Sequence, residues 1–335
     1  MKAIQVRAPG GLDKLEVVDL PDPGPPGPGE IRVALHACSL NFHDYAVARG
    51  FIPSADRRIP MADGAGVVDA VGEGVTDLKP GDNVVSLFSP DWQAGMPPSV
   101  NFGRVPGDGI DGYARETVVV PATWFTPIPK GWSHAEAAII PTAGVTAWRA
   151  LVTEGKIKAG DVVLALGTGG VSIIGIQLAK AMGCIVVATT SSDAKIDRLR
   201  ALGADHVINY KTVPDWGKKV VELTGGHGAD HVLEAGGAGT LSQSIAALAM
   251  GGQIGLFGVL TGIEAPVNLH ALMFRKGAIR GITVGSRADQ LDMVRGLDGM
   301  GFKPVIDRSF PLEGIADAFA FEESGAHFGK IVLEW

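Results

Sequence analysis

The segment best suited to chemistry is a glycine-rich turn between an apolar stretch and a helical pattern. Residues 161–183 read DVVLALGTGGVSIIGIQLAKAMG. Gly167 permits a tight turn, Gly169 lets the main chain approach a ligand, and the next helix offers its free N–H groups to a phosphate. The pattern therefore predicts a pyrophosphate-binding turn. Its predicted contacts are Gly167, Thr168, Gly169, Gly170 and Val171.

One residue of this turn departs from the usual G-x-G-x-x-G pattern. Ser172 stands where the third glycine is expected, and serine is small enough for close packing of helix and strand. The alternative is a tight turn that binds nothing. The position after an apolar strand and before a helix favours the binding function.

Residues at the end of the second predicted strand bear on which dinucleotide binds. An acidic residue there would hold the ribose 2′-hydroxyl of NAD, but the sequence has Thr190 and Ser191. Lys195 follows in the next helix, and Arg198 lies one turn further on. Hydroxyls and a cation suit a 2′-phosphate, so the sequence favours NADPH over NADH. The alternative for both basic residues is an ordinary solvated helix face.

The elements that must position this turn form an alternating pattern over residues 127–299. Strands and helices that alternate, with continuously apolar strands, predict a doubly wound parallel sheet of six strands, a Rossmann domain. The predicted strands are Val162–Leu166, Ile185–Thr189, His206–Asn209, His231–Ala235, Gln253–Val259 and Ala278–Val284. The predicted helices are Val171–Met182, Ala194–Leu202, Asp215–Thr224, Thr240–Ala249, Leu269–Arg275 and Ala288–Leu297.

Residues 1–126 and 300–335 have a different texture, rich in short strands, and we predict that they form one discontinuous domain. The proline-rich segment Leu20–Gly29 cannot be helical, and Ser89–Gly112 has the composition of a long loop. A helix is predicted at Leu312–Glu323. The predicted strands are Met1–Arg7, Glu30–Ala37, Gly66–Val71, Asn83–Leu87, Gly112–Pro121, Lys303–Arg308 and Lys330–Leu333.

Composition excludes several classes of protein. The 335 residues are 46% hydrophobic and 19% charged, which is typical of a folded chain, and the net charge of −7 disfavours a nucleic-acid partner. Two uncharged stretches, Val162–Ala179 and Ala235–Ile263, are broken by glycines and do not predict membrane spans. Two cysteines are too few for a disulfide framework, and no leader is evident, so we expect a cytoplasmic protein.

Several motifs resemble the medium-chain dehydrogenase/reductase superfamily, and the match extends over essentially the whole chain. The motifs are Met61–Thr76, Lys79–Val85, Pro141–Trp148, Gly167–Gly183, Gly203–Tyr210 and Phe328–Leu333. The resemblance implies a GroES-like β-rich catalytic domain interrupted by a Rossmann domain. It also implies an oxidoreductase that uses a nicotinamide cofactor.

Within that family, three positions decide whether zinc is used. Zinc alcohol dehydrogenases have ligands where this chain has Asn41, Ala62 and a residue near Thr142, and Ser89–Gly112 has none of the cysteines of their structural-zinc lobe. The resemblance is therefore to the zinc-free branch, which includes quinone oxidoreductase-like and enoyl reductase-like proteins. His36 and Cys38 alternate on one strand, but they do not complete a metal site, so we expect no metal.

Without a Lewis acid, addition of hydride to a conjugated double bond is the least demanding reaction. We therefore predict NADPH-dependent reduction of a quinone or an α,β-unsaturated carbonyl, such as an enone or enal, with Asn41, His43 and Tyr45 as candidate catalytic residues. Asn41 would orient the substrate carbonyl or the nicotinamide ribose, and Tyr45 or His43 would supply a proton. The alternatives are a turn residue for Asn41, a packing tyrosine for Tyr45 and a structural histidine for His43.

The resemblance implies further cofactor contacts, and for the two threonines among them the alternative is helix packing. These residues are Asn41, Thr142, Thr146, Tyr210, Gly258, Val259, Gly285, Ser286, Phe328 and Lys330. It also implies a homodimer that pairs the last Rossmann strand, residues 278–284, across a two-fold axis.

Two other functions remain open from the sequence. One is an NAD(P)-dependent alcohol or aldehyde oxidoreductase of the same family. The other is a non-catalytic NADPH-binding module with a structural or regulatory role. Turnover against a broad panel of substrates separates the three functions.

Overall fold

The structure is a computed structural model that describes residues 1–97 and 104–335. The chain divides into two compact units, which are Met1–Val145 with Val284–Trp335, and Thr146–Thr283. Part of the predicted loop Ser89–Gly112 lies outside the described residues, and the rest has a single isolated bridge between Pro106 and Ile110. Within the described ranges, no helix combines the length and the apolar character needed to cross a membrane.

Strands are found in both units. They are β1 (Lys2–Val6), β2 (Leu15–Asp19), β3 (Glu30–Ser39), β4 (Gly64–Val71), β5 (Asn83–Ser86), β6 (Thr117–Pro121), β7 (Phe125–Pro127), β8 (Val162–Ala165), β9 (Ile185–Thr190), β10 (His206–Asn209), β11 (Ala229–Glu234), β12 (Leu248–Leu256), β13 (Ala278–Gly281), β14 (Ile306–Pro311) and β15 (Lys330–Glu334).

Helices alternate with these strands in the second unit and are sparser in the first. They are α1 (Phe42–Ala48), α2 (His134–Ala137), α3 (Val145–Trp148), α4 (Gly170–Ala181), α5 (Ile196–Ala201), α6 (Trp216–Leu223), α7 (Leu241–Ala247), α8 (Leu269–Phe274), α9 (Arg287–Met300) and α10 (Ile315–Glu323). π-Helical turns at Ile140–Gly144 and Arg149–Thr153 flank α3.

The first unit is built on a sheet in the order β14-β15-β3-β4-β5-β7, and β6 also pairs with β3. Its β3 strand alternates between buried and half-buried residues, because one face of the strand lies on the core. That core includes Ile31, Leu35, Phe125 and Phe319 from distant parts of the chain. The last strand, β15, pairs antiparallel with β3 and so brings its first residue, Lys330, beside the start of α1.

The second unit is a parallel sheet in the order β10-β9-β8-β11-β12-β13, and the structure describes all of its residues. Strand β8 is buried throughout because helices cover both faces of such a sheet. This order is that of the dinucleotide-binding fold, with β8 at the centre. The predicted α/β fold class and the six-stranded parallel sheet are therefore confirmed.

The division between the units differs from the predicted one at both ends. Residues 127–145 and α9 belong to the first unit, whereas the sequence pattern assigned residues 127–299 to the second. The reason is packing, since the side-chain nitrogen of Gln290 on α9 donates to the carbonyl of Ser86 and to the hydroxyl of Thr126. Local alternation of strand and helix patterns carries no information about such distant contacts.

Several predicted strands have other limits. The strand predicted at Ala278–Val284 ends at Gly281, and Val284 has a left-handed φ of 54°, which is costly for a β-branched residue. The strand predicted from Gly112 begins only at Thr117. The strand predicted at Lys303–Arg308 is β14, which extends from Ile306 to Pro311. Sequence patterns locate elements more reliably than they locate the ends of elements.

Candidate functional site

The glycine-rich turn in the second unit has the geometry of an anion-binding site. Gly167 adopts a left-handed φ of 77°, and Gly169 is the N-cap of α4, where it has no side chain to bond the first N–H groups of the helix. A Cβ added at either glycine would meet nothing within 4 Å. The turn is thus open above its backbone, and the N-terminus of a twelve-residue helix faces that space with a partial positive charge.

Two hydroxyls fix the backbone of this turn. The buried Ser172 donates to the carbonyl of Leu166 at 2.7 Å, so the residue at the third-glycine position ties α4 to the end of β8. The N–H of Gly167 donates to the hydroxyl of Thr189 at 3.1 Å. A preorganised turn of this kind loses little entropy when a ligand binds.

Residues at the ends of β9 and β10 place a cation and hydroxyls beside the turn. The Lys195 ammonium donates to the hydroxyl of Thr168 at 3.2 Å. Tyr210 is 41% exposed, and its N–H donates to the carbonyl of Thr190. Thr190 is buried, and its hydroxyl accepts from the N–H of Ser192 at 3.2 Å. Ser191 is half-buried. The structure therefore brings Lys195 to Thr168 and the backbone of Tyr210 to Thr190, while the hydroxyl of Thr190 bonds within its own loop.

A buried acid that sequence reasoning missed organises the loops after β11 and β12. The Glu234 carboxylate accepts bonds from the N–H groups of Gly236 and Gly237 and from the hydroxyls of Thr240 and Ser244. Its own carbonyl accepts from the N–H of Gly258 at 3.3 Å. The signal available in the sequence was an acid at a strand end, separated by one alanine from a glycine pair.

Three other predicted residues lie in or beside these segments. Val259 is 47% exposed in the loop that begins at Gly258, whereas Thr146 is buried in α3. Val171 is half-buried in the first turn of α4. Val259 is therefore accessible to a ligand of this unit, whereas Thr146 packs inside the protein.

In the first unit, Asn41 lies at the centre of a buried polar network at the start of α1. Its side-chain nitrogen donates to Asp63 at 2.9 Å, to Asp44 at 3.0 Å and to the carbonyl of Ser39 at 3.2 Å. Asp44 in turn accepts from the N–H of Asn41 and from the N–H of Ala62. Two carboxylates and one amide therefore hold the segments around residues 41 and 62 in fixed positions.

Lys330 closes this network from β15. Its buried ammonium donates to the side-chain oxygen of Asn41 at 2.7 Å and also to the carbonyl of Leu40. Burial lowers the pKa of Lys330, while Asp63, Glu322 and Asp44 oppose that shift. The ammonium is engaged inside the unit, so its placement gives Lys330 a positioning role and does not expose it to a cofactor phosphate.

Thr142 meets the network from the π-helical turn Ile140–Gly144. Its hydroxyl donates to the Oδ1 atom of Asp63 at 2.6 Å, and Asp63 is fully buried. Burial raises the pKa of Asp63 to about 7; Asp44 adds to the increase, and Lys330, Thr142 and Asn41 oppose it. A carboxyl group with such a pKa exchanges a proton near neutral pH.

His43 projects from the first turn of α1 between two carboxylates. Its Nδ1 atom lies 3.7 Å from Asp44, its Nε2 atom lies 3.6 Å from Asp108, and the ring contacts the edge of Phe88. Burial disfavours the charged imidazole, but the nearby carboxylates of Asp44 and Asp108 outweigh burial and raise the pKa of His43. The partly exposed ring is therefore placed to carry a proton near neutral pH.

The remaining predicted residues of this unit have structural environments. Tyr45 packs in the core against Phe319, and its hydroxyl lies beside Glu323. Ser286 caps α9, since it accepts from the N–H of Asp289 and bonds its carboxylate at 2.7 Å. Phe328 is fully buried, and a Cβ at Gly285 would lie 2.6 Å from Val145.

The residues at the three zinc-ligand positions do not fit a zinc ion. The amide nitrogen of Asn41 points at carboxylates, its oxygen accepts from Lys330, Ala62 has no donor atom and Thr142 bonds Asp63. Zinc sites are built from thiolate, imidazole and carboxylate ligands that converge on one point. Among the residues that the structure describes, no group of three such side chains converges in that way.

Comparison with known proteins agrees with both units. Residues 27–130 match the alcohol dehydrogenase GroES-like domain, and residues 170–298 match the zinc-binding dehydrogenase domain. A zinc-type alcohol dehydrogenase-like protein of Schizosaccharomyces pombe is 38% identical over 332 residues, which are 97% of this chain and 96% of that protein. The chain belongs to the medium-chain dehydrogenase/reductase superfamily. The predicted family is thus confirmed, and the chain is an oxidoreductase of a fold that binds a nicotinamide cofactor.

Two solved structures of this superfamily have similar folds and different chemistry. An NAD-dependent alcohol dehydrogenase is 39% identical with a TM-score of 0.90, and the match covers 100% of both chains. A crotonyl-CoA carboxylase/reductase variant, solved in complex with NADP, is 27% identical with a TM-score of 0.88, over 100% of this chain and 94% of that chain. The superfamily therefore includes relatives of this chain with either cofactor, and the choice depends on local residues.

Proposed function

We propose that this chain is an NADPH-dependent oxidoreductase that acts without zinc and reduces an α,β-unsaturated carbonyl or a quinone. The observation that carries this proposal is that Asn41, at one of the positions that bind zinc in the zinc alcohol dehydrogenases, is hydrogen-bonded to both Asp63 and Lys330. Each polar atom of the Asn41 amide has a protein partner, so this position supplies a fixed dipole instead of a metal ligand. The likeness to a crotonyl-CoA carboxylase/reductase supports reduction of a conjugated double bond.

The second unit provides the residues that would hold the cofactor. Gly167, Gly169 and the N-terminus of α4 fit a pyrophosphate, because the space above them is open and positively polarised. Lys195, beside the hydroxyl of Thr168, fits a 2′-phosphate better than a 2′-hydroxyl. When bound, the dinucleotide supplies the hydride.

The first unit provides the groups that handle the proton and the developing charge. His43 is held between Asp44 and Asp108 in a partly exposed position where it can donate to an enolate-like oxygen. The network around Asn41 keeps the start of α1 rigid, so the position of His43 is fixed before substrate arrives. Hydride addition to a conjugated acceptor then leaves an anion, which the protonated imidazole of His43 and a proton donor stabilise.

The test is oxidation of NADPH, with NADH in parallel, against 1,4-benzoquinone, 9,10-phenanthrenequinone, a 2-enone and a 2-alkenal, each with and without EDTA. We expect turnover that prefers NADPH and resists the chelator. Turnover abolished by EDTA, or a clear preference for NADH, would contradict the proposal.

A second candidate is an NAD(P)-dependent alcohol or aldehyde oxidoreductase. It is favoured by the 39% identity to an NAD-dependent alcohol dehydrogenase over the full length of both chains. Adding primary and secondary alcohols with NAD, and an aliphatic aldehyde with NADH, to the same panel separates the two candidates. Saturable NADPH binding without turnover on any substrate would instead indicate the non-catalytic binding module.

We also propose that the chain forms a homodimer through the edge of the Rossmann sheet. Strand β13 is at that edge, and α8, which precedes it in sequence, exposes Leu269, Met273 and Phe274. An open strand edge beside exposed apolar side chains is a surface that proteins usually cover.

A further inference from the structure

The hydroxyl of Thr142, a residue that is only half-buried, bonds a carboxyl group that is fully buried in the first unit. Thr142 is half-buried and donates to Oδ1 of Asp63 at 2.6 Å, while Oδ2 of Asp63 accepts from Asn41 at 2.9 Å. The π-helical turn Ile140–Gly144 sets the direction of the Thr142 side chain. Turns of this kind are rare and often occur at functional sites.

We propose that Thr142 and Asp63 form a proton relay that protonates the product anion, with Thr142 as the residue that touches it. The relay deepens the proposed function and rests on it. In this relay Thr142 delivers the proton, Asp63 acts only through Thr142, and His43 donates a hydrogen bond to the charged oxygen.

The step balances without any further reactant. Hydride addition leaves one negative charge on the enolate or quinol oxygen of the substrate. That oxygen, or the carbon conjugated with it, takes the proton of the Thr142 hydroxyl, and the hydroxyl oxygen takes the proton of Asp63. Asp63 becomes a carboxylate that accepts from Thr142, as in the structure, and it regains a proton from solvent through the same hydroxyl.

The charges around Asp63 make both protonation states accessible. Lys330 on β15 favours the carboxylate, as do the donors Thr142 and Asn41, whereas Asp44 on α1 and the burial of Asp63 favour the acid. Two weaker acids, Cys38 and Tyr113, also face Asp63. The resulting pKa of about 7 leaves a substantial protonated fraction at neutral pH.

The test compares T142V with wild type, with T142S as the conservative variant. T126V is the matched control, because the buried Thr126 hydroxyl also bonds one side chain of the first unit, Gln290, at 2.8 Å. We measure kcat and KM for a 2-enone between pH 5.5 and 9, the solvent deuterium isotope effect on kcat, and the Kd of NADPH by fluorescence.

We expect T142V to lower kcat roughly 100-fold with a Kd for NADPH within about twofold of wild type. The kcat of wild type should decrease as the pH rises through about 7, and the kcat of T142V should not. T142S should restore both the rate and this pH dependence. D63N should reproduce the loss of pH dependence. T126V should keep the wild-type rate and profile.

Each other outcome overturns the relay in a recognisable way. T142V with wild-type kcat and pH profile would overturn the relay and leave the proposed function intact. A raised Kd for NADPH with unchanged kcat would make Thr142 a cofactor contact. Failure of wild type to oxidise NADPH with every acceptor would overturn the relay together with the proposed function.

Discussion

The Lys330 ammonium donates a 2.7 Å hydrogen bond to the side-chain oxygen of Asn41, which lies 289 residues earlier in the chain. This bond fixes the amide so that its nitrogen faces Asp44 and Asp63. One buried cation thereby orders two carboxylates at the start of α1. The arrangement explains how a position that binds zinc in the zinc alcohol dehydrogenases is stable here with an asparagine.

Replacing Lys330 with methionine should destabilise the protein by about 3 kcal/mol, because removal of one partner leaves buried carboxylates without a counter-charge. The loss should be larger at pH 8 than at pH 5, since Asp63 and Glu322, whose pKa values are both raised to about 7, are neutral at the lower pH. Urea unfolding at the two pH values measures the difference.

The matched control is K79M, which removes a lysine that is 80% exposed. It should change the free energy of unfolding by less than about 1 kcal/mol at either pH. Equal losses for K330M at pH 5 and pH 8 would show that packing of the lysine stem, and not its charge, stabilises this network.

Glu322 on α10 should make the protein less stable as the pH rises. Burial raises the pKa of Glu322 to about 7, with Lys330 opposing and Asp44 adding to the shift, and its Oε2 atom is buried without a hydrogen-bond partner in the described structure. The folded state therefore binds this proton more tightly than the unfolded state. The stabilisation of the folded state by the Glu322 proton is complete below the unfolded pKa near 4.5, and it is lost as the pH rises to about 7.

The variant E322Q should become more stable than wild type over that interval. The gain relative to its value at pH 4 should be roughly 1 to 3 kcal/mol at pH 8, measured by urea unfolding. The neighbouring E323Q is the control, because Glu323 is 45% exposed, and it should change the free energy of unfolding by less than about 1 kcal/mol. A pH-independent E322Q difference would show that folding does not shift the pKa of Glu322.

Lys195 should decide the preference between the two dinucleotides. Its ammonium lies beside the hydroxyl of Thr168 in the turn, so K195A should raise the Kd of NADPH about 10- to 100-fold and leave the Kd of NADH within about twofold. Fluorescence titration with each cofactor measures both constants. The control is K218A on α6, whose side chain is 82% exposed. A parallel loss of NADH affinity in K195A would show that Lys195 contacts a part common to both cofactors.

The sequence predicts the second unit well because its signals are local. Each strand of that sheet is a short apolar run that ends near a glycine or polar turn, and Gly167 and Gly169 have the conformations that the motif requires. The helix α1 is missed because it has only seven residues. Its N-terminus is stabilised by Asp44, which accepts from the N–H of Asn41, and this capping pair is readable in the sequence.

Local sequence patterns do not predict the hydrogen-bonded network in the first unit. Asn41 is predicted as a site residue by resemblance, but its partners Asp63 and Lys330 are 22 and 289 residues away in the chain. Lys330 is predicted as a cofactor contact, and only the pairing of β15 with β3 reveals that its ammonium is inside the unit. One feature of the sequence did indicate a network: Asp63 lies within an apolar run that begins at Met61, and a buried acid requires a polar partner.

The proposed dimer gives a prediction that depends on the exposed face of α8. Leu269 is 72% exposed and Met273 is 66% exposed, so L269E/M273E should leave the folding of a single chain unaffected. We expect sedimentation velocity to give about twice the 34.7 kDa mass of one chain for wild type and the mass of one chain for the double variant at micromolar concentration. The control is V17E on β2 in the first unit, at a position 50% exposed, which should remain dimeric. If wild type sediments as a single chain, the dimer is wrong; if L269E/M273E remains a dimer, the interface lies elsewhere than on α8.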